Sequence, residues 1–197
     1  MNAAATAVDV RQHIIDTALP LMLRKGFTAV GLTEILSTAQ VPKGSFYHYF
    51  GSKEAFGEAV LEAYFANYLS GMDAQLTQPG TAAQRLIGYF DDWLDSQTGD
   101  EAKSRCPVVK LGAEVSDLSE SMRAALERGT RGVTDRLARC IEAGVADGSL
   151  PAPPDAQAVA QALYQSWLGA SLLAKIARDR APLDMALAGT RQKLGLT

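Results

Sequence analysis

Cys106 is followed at once by Pro107. Proline favours the first position of a helix, so the pair predicts a helix start with Cys106 at its N-cap. A sulfur held there faces the positive end of the helix dipole, with Arg105 and Lys110 close in sequence. These features lower a thiol pKa and raise the thiolate fraction, the form that oxidants and alkylating agents attack. Lys175 is the second unusual residue. It closes the apolar stretch 167–174, where burial would depress its pKa. A neutral amine there could trap an oxidised sulfur or donate to an acceptor ligand. Trp93, Trp167 and Tyr68 are candidates to line a ligand cavity, although each also suits a core. Cys140 lies with Leu137 and Ile141 on an apolar face and reads as core.

A different chemistry is written into Lys43-Gly44-Ser45-Phe46-Tyr47-His48-Tyr49-Phe50. The run carries four aromatics and few aliphatic core residues. Phe46 and Phe50 share a face at i,i+4 spacing and are expected to anchor the segment inward. Lys43, Ser45, Tyr47 and His48 then point away. No Asp or Glu occurs from Ile35 to Ser52, while Lys43 and Lys53 bracket the segment. An acid-free patch of this kind favours a polyanion. Lys43 would stand at a helix N-terminus, where backbone N–H groups already favour phosphate. Tyr47 and His48 can donate to phosphate or pack on a thymine methyl, and Lys53 can clamp the backbone alongside.

The elements that must position these groups are helical almost throughout. Asp9 and Gln12 suggest a capping box for a first helix of about 9–25, with Gly26 as its stop and Pro20 inside it. Helices are expected at about 32–39 and 43–49, joined by the tight turn Gln40-Val41-Pro42, which is helix-turn-helix spacing. Ser52 caps a helix to about Leu76, and Thr81 with Gln84 opens another to about Ser96. A polar loop, 98–105, precedes helices starting near Cys106 and Ser119, the latter reaching about Ala146. Asp155 caps a helix to about Arg180, and Pro182 opens the last, to about Leu194. No strand pattern is convincing, so the fold is expected to be all-α: residues 1–50 as a three-helix unit with the helix-turn-helix, linked through helix 52–76 to a second helical domain, 51–197, which the family resemblance given below makes the regulatory and dimerisation domain.

Composition sets outer limits. The chain has 197 residues, 47% apolar and 21% charged, with net charge -3. Long disorder, a collagen-like chain and a highly basic DNA wrapper are excluded. The first 60 residues hold five basic and five acidic side chains, the remainder fourteen and seventeen, so the basic patch is local. Two cysteines make no disulfide framework and suit a reducing cytoplasm. The uncharged run 156–174 is nearly long enough to span a bilayer, but Gln157, Gln161 and Gln165 give it a polar stripe that lipid would penalise. The expectation is a cytoplasmic protein.

The ordered pattern Gly26-Phe27, Glu34-Ile35, Val41-Pro42-Lys43-Gly44-Ser45-Phe46-Tyr47-His48-Tyr49-Phe50, Ser52-Lys53-Glu54 resembles the DNA-binding domain of the TetR family of bacterial repressors. The resemblance implies a homodimer that binds operator DNA and is released when a small ligand, electrophile or oxidant acts on the C-terminal domain. It implies DNA contacts by Lys43, Gly44, Tyr47, His48 and Lys53. Where the family has a Thr or Ser cap, Val30-Gly31 stands here, so Thr33 is the weaker substitute contact. The run from Cys106 to Glu120, with Met122-Arg123, Gly129-x-Arg131-Gly132-Val133 and 168–176, is similar to the electrophile- and redox-responsive subgroup of that family. In that subgroup the cysteine at this place is the sensor and a lysine is its partner, which implies those roles for Cys106 and Lys175. A dimer is expected through the last two helices, about 155–194, with Ala160, Gly169 and Ala170 permitting close approach.

Two other readings fare less well. A cysteine-dependent enzyme needs a nearby base, yet both histidines, His13 and His48, lie in the N-terminal region. No P-loop, G-x-G-x-x-G, H-E-x-x-H or C-x-x-C is present, so no enzyme activity, cofactor or metal is expected. A helical adaptor that ignores DNA would show no salt-dependent binding to a duplex.

Overall fold

The computed structural model describes residues 3–98 and 106–196, all of whose regular elements are helices. They are α1 (Ala3–Lys25), α2 (Leu32–Ala39), α3 (Lys43–Tyr49), α4 (Lys53–Leu76), α5 (Ala82–Thr98), α6 (Pro107–Leu118), α7 (Glu120–Ala146), α8 (Ala156–Ala177) and α9 (Ala181–Lys193). The local stop and start signals hold. Gly26 ends α1 at φ +99°. The Ser52 hydroxyl accepts from Ala55 N at 3.1 Å. Thr81 and Gln84 exchange two bonds, 2.9 and 3.3 Å, at the head of α5. Asp155 accepts from Ala158 N at 3.0 Å at the head of α8. These caps satisfy N–H groups that a helix start leaves without partners.

One boundary differs. α1 begins at Ala3 rather than at Asp9, so no capping box operates there. The alanine-rich run before Asp9 has high helix propensity and simply extends the helix. Most of the polar loop expected at 98–105 lies outside the described residues. No helix among the described residues is long and apolar enough to cross a membrane.

The chain forms two compact units that interleave along the sequence. The first combines the described parts of Met1–Ala66 and Glu101–Arg128, the second those of Asn67–Asp100 and Gly129–Thr197. In the first unit, Ile14, Ile35, Phe46, Phe56, Leu61, Leu111 and Met122 are buried. Gly57 marks its tightest point: a Cβ there would lie 2.5 Å from Met122 Sδ and 2.6 Å from Phe27. The second unit centres on Trp167, stacked on Phe90 at 5.0 Å, with Trp93 5.6 Å away.

Candidate nucleic-acid interface and sensor cysteine

α2 and α3 are joined by a turn in which Gln40 adopts the left-handed conformation, φ 56°. Val41 N closes the turn on Leu36 O at 3.0 Å. α3 is fastened from below: Phe46 packs on Phe50 and Phe56 with centroids 5.1 and 5.3 Å apart, and Phe50 on Phe56 at 4.7 Å. With its aromatic side held, Lys43, Gly44, Tyr47 and His48 are exposed, Tyr47 by 57%, while Ser45 is half-buried. Thr33 is exposed in the first turn of α2, after Gly31, whose N-cap position brings no side-chain bond.

Lys53, His13 and Arg11 take roles that the sequence reading does not give them. Lys53 is no loose clamp. Its ammonium donates to Phe27 O at 3.0 Å and sits over the Phe27 ring at 4.7 Å, so it ties α4 to the α1–α2 turn. His13 pairs with Ala39 O through Nε2 at 2.9 Å and braces α2 against α1. Arg11, passed over in the sequence, lies 5.3 Å from the Phe50 ring and adds positive charge beside α3.

The structure puts Cys106 at the N-cap of α6, with Pro107 following in the first turn. The expected activation of its sulfur does not follow. Burial pushes the thiol up, and the Val109 and Val108 backbone N–H groups only partly counter it. Desolvation of the thiolate therefore outweighs the helix end. Arg105 lies outside the described residues. Lys175 belongs to the other unit and is exposed in the last turn of α8. The burial expected of Lys175 is thus corrected: it is a surface lysine at a helix C-terminus.

Of the aromatic candidates, Trp93 and Trp167 are core and Tyr68 is half-buried against it. Trp167 is fully buried and its indole N–H donates to Thr190 Oγ1 at 2.8 Å; Trp93 donates to Ser171 Oγ at 3.1 Å. Tyr68 shares a hydroxyl contact of 2.6 Å with Tyr89. Both indole donors are already used inside the fold, which leaves none for a ligand.

Sequence reasoning missed Glu114. Its carboxylate accepts from Thr28 N at 2.7 Å and Phe27 N at 3.1 Å, so α6 grips the α1–α2 turn from the helix that Cys106 caps. Its partners lie 86 and 87 residues away, so no local pattern marks it. Burial pushes the carboxyl up, but the Thr28 and Phe27 donors and the Lys110 charge outweigh that and hold it below its usual value. A lowered folded pKa gives stability above the unfolded value, about 4.3, that is lost as pH falls through the folded value. Glu114→Gln should therefore cost about 1 kcal/mol at pH 7 by denaturant titration. The gap to the unaltered chain should close below about pH 4; a gap independent of pH would refute this role.

A short helix mounted by a tight turn, with Lys43, Tyr47 and His48 turned outward and no Asp or Glu between residues 35 and 52, defines a helix-turn-helix DNA-binding protein. Residues 14–60 match the bacterial regulatory proteins of the tetR family, and residues 82–190 match the tetracyclin repressor-like C-terminal domain. The chain belongs to the TetR family and is a DNA-binding transcriptional regulator. It is 45% identical to the HTH-type transcriptional repressor NemR of Escherichia coli K12, over 93% of this chain and 92% of NemR. It is 33% identical to the HTH-type transcriptional repressor DhaR of Mycobacterium sp. strain GP1, over 90% and 88% of the two chains. The crystal structure of reduced E. coli NemR superposes with a TM-score of 0.88, at 45% identity, covering 93% of this chain and 96% of that one.

Proposed function

We propose that the protein is a homodimeric repressor that leaves its operator when an electrophile, oxidant or small ligand acts at the N-terminus of α6. The observation that carries this reading is the Glu114 bond: one helix bears the sensor cysteine at its head and a grip on the α1–α2 turn further along. Modification or ligand contact at Cys106 would shift α6, loosen that grip and bias the orientation of α2 and α3. A few kcal/mol of differential binding is enough to move such an equilibrium.

On this reading Thr33, Lys43, Gly44, Ser45, Tyr47 and His48 face the duplex, and Lys53 acts indirectly by holding the turn. Paired recognition helices would sit in successive major grooves, about 34–36 Å apart. Support for the dimer comes from Leu172, Leu173, Ile176 and Met185, which are 46–75% exposed on α8 and α9. Four large apolar side chains exposed on two consecutive helices are the kind of surface that a protein–protein contact covers. Ala160 and Ala170 are buried within the protomer, so of the three small residues only Gly169 is at the surface.

The test is a gel-shift against DNA upstream of the protein's own gene, with and without N-ethylmaleimide. Release should occur with the unaltered protein and disappear in Cys106→Ser. Because burial keeps the thiol protonated, the labelling rate of Cys106 should rise about tenfold per pH unit through neutrality. Release that persists in Cys106→Ser would replace covalent sensing with a non-covalent inducer, a second reading that the raised thiol pKa itself favours.

A further inference from the structure

The second unit contains a cleft of about 400 Å³ that the candidate DNA-binding and sensor residues do not line. It opens between α4, α5 and α7. Leu76, Ala143 and the buried Cys140 give it an apolar floor, and Arg85, Arg136 and Arg139 surround it against one lining acid, Asp73. A carbon-lined cleft with a few convergent charges is the usual form of a small-molecule site.

The charges are unevenly matched. Arg136 and Asp73 satisfy each other through two bonds of 2.8 and 2.7 Å. Arg139 is exposed and makes no hydrogen bond among the described residues, though Asp73 feels its charge. Arg85 reaches Gln78 O and Gly80 O with Nη1, both at 3.3 Å, while its Nε is buried with no hydrogen-bond partner. Folds rarely leave a buried charged donor in that state. The neighbouring acid does not fill the gap: Asp147 feels the Arg85 charge, but its oxygens accept from Ala82 N and Ser149 N at 2.8 and 2.9 Å and it makes no hydrogen bond with Arg85 among the described residues. Cys140 lies beside the guanidinium, but burial keeps its thiol protonated, which leaves the sulfur only a weak acceptor.

We propose that this cleft binds a small amphiphilic oxyanion, a carboxylate or phosphate on a short hydrocarbon chain. The head bridges Arg85 and Arg139, and the chain lies on Leu76 and Ala143. Guanidinium groups suit such heads because two N–H donors match two oxygens. The site is independent of Cys106 and adds a second effector to the reading above.

Isothermal titration of the full-length protein with hexanoate, hexyl phosphate, inorganic phosphate and neutral hexanamide tests it. One or both hexyl anions should bind and hexanamide should not, and the preferred head group assigns the source. Arg85→Met and Arg139→Gln should each weaken binding about tenfold, or about 1.4 kcal/mol. Arg85 also supports the α4–α5 turn, so Arg139→Gln, which removes no internal bond, carries the test if Arg85→Met fails to fold. Equal binding by Arg139→Gln, equal binding of hexanamide, or no binding of either hexyl anion up to about 10 mM would overturn the proposal. Binding of inorganic phosphate alone would overturn its hydrocarbon part.

Discussion

Alanine at both Lys43 and Tyr47 should lower affinity for an operator duplex by at least about 100-fold, or roughly 2.7 kcal/mol, while leaving thermal stability within about 0.5 kcal/mol. Each contact to a phosphate or base edge is worth about 1–3 kcal/mol. Both side chains are exposed and no hydrogen bond among the described residues depends on them, so their loss removes contacts to DNA without opening the core. Loss of Lys43 should also flatten the dependence of affinity on salt by about one unit of slope per contact, because fewer counterions are released. A salt-series gel-shift checks both. Unchanged affinity would remove α3 from the interface.

The adjacent residue should behave in the opposite way. Phe46→Ala should cost about 3–5 kcal/mol of folding free energy, read as a fall in denaturant midpoint. Phe46 is wholly buried, and it meets Tyr47, Phe50 and Phe56 with ring centroids 5.1–5.4 Å apart. Removing the ring leaves a cavity beneath a seven-residue helix that has no length of its own to sustain it. DNA binding should then fail because α3 is no longer presented, although no DNA contact has been touched. A loss below about 1 kcal/mol would show that the site collapses and that α3 is held by other means.

That contrast between neighbours was readable from spacing alone. Phe46 and Phe50 fall four apart, and a short helix can bury only one side. Helix ends were equally legible where the signal is local: Ser52, Thr81 with Gln84, Asp155 and Gly26 act within three or four residues of themselves. What escaped depends on distant partners. Lys53 looks like a DNA clamp until Phe27 O is brought beside it, and Glu114 is ordinary until α6 meets the α1–α2 turn. Cys106 shows both sides at once. Its N-cap position follows from the proline after it, but its thiol responds to burial that no neighbour in sequence announces. The tryptophans were ambiguous because a cavity wall and a packed core call for the same residue type; only Thr190 and Ser171 at their N–H groups decide for the core.

The tight packing at Gly57 has a practical consequence for protein engineering. Phe27 and Met122 close over that glycine, and Glu114 holds the turn next to Phe27, so the reading head borrows structure from residues far downstream. A graft of residues 1–66 onto a foreign receptor would leave that surface bare and oily. A working chimera must carry residues 107–128 along with it, and libraries that shuffle these regulators at a simple junction after α3 should yield mostly insoluble clones.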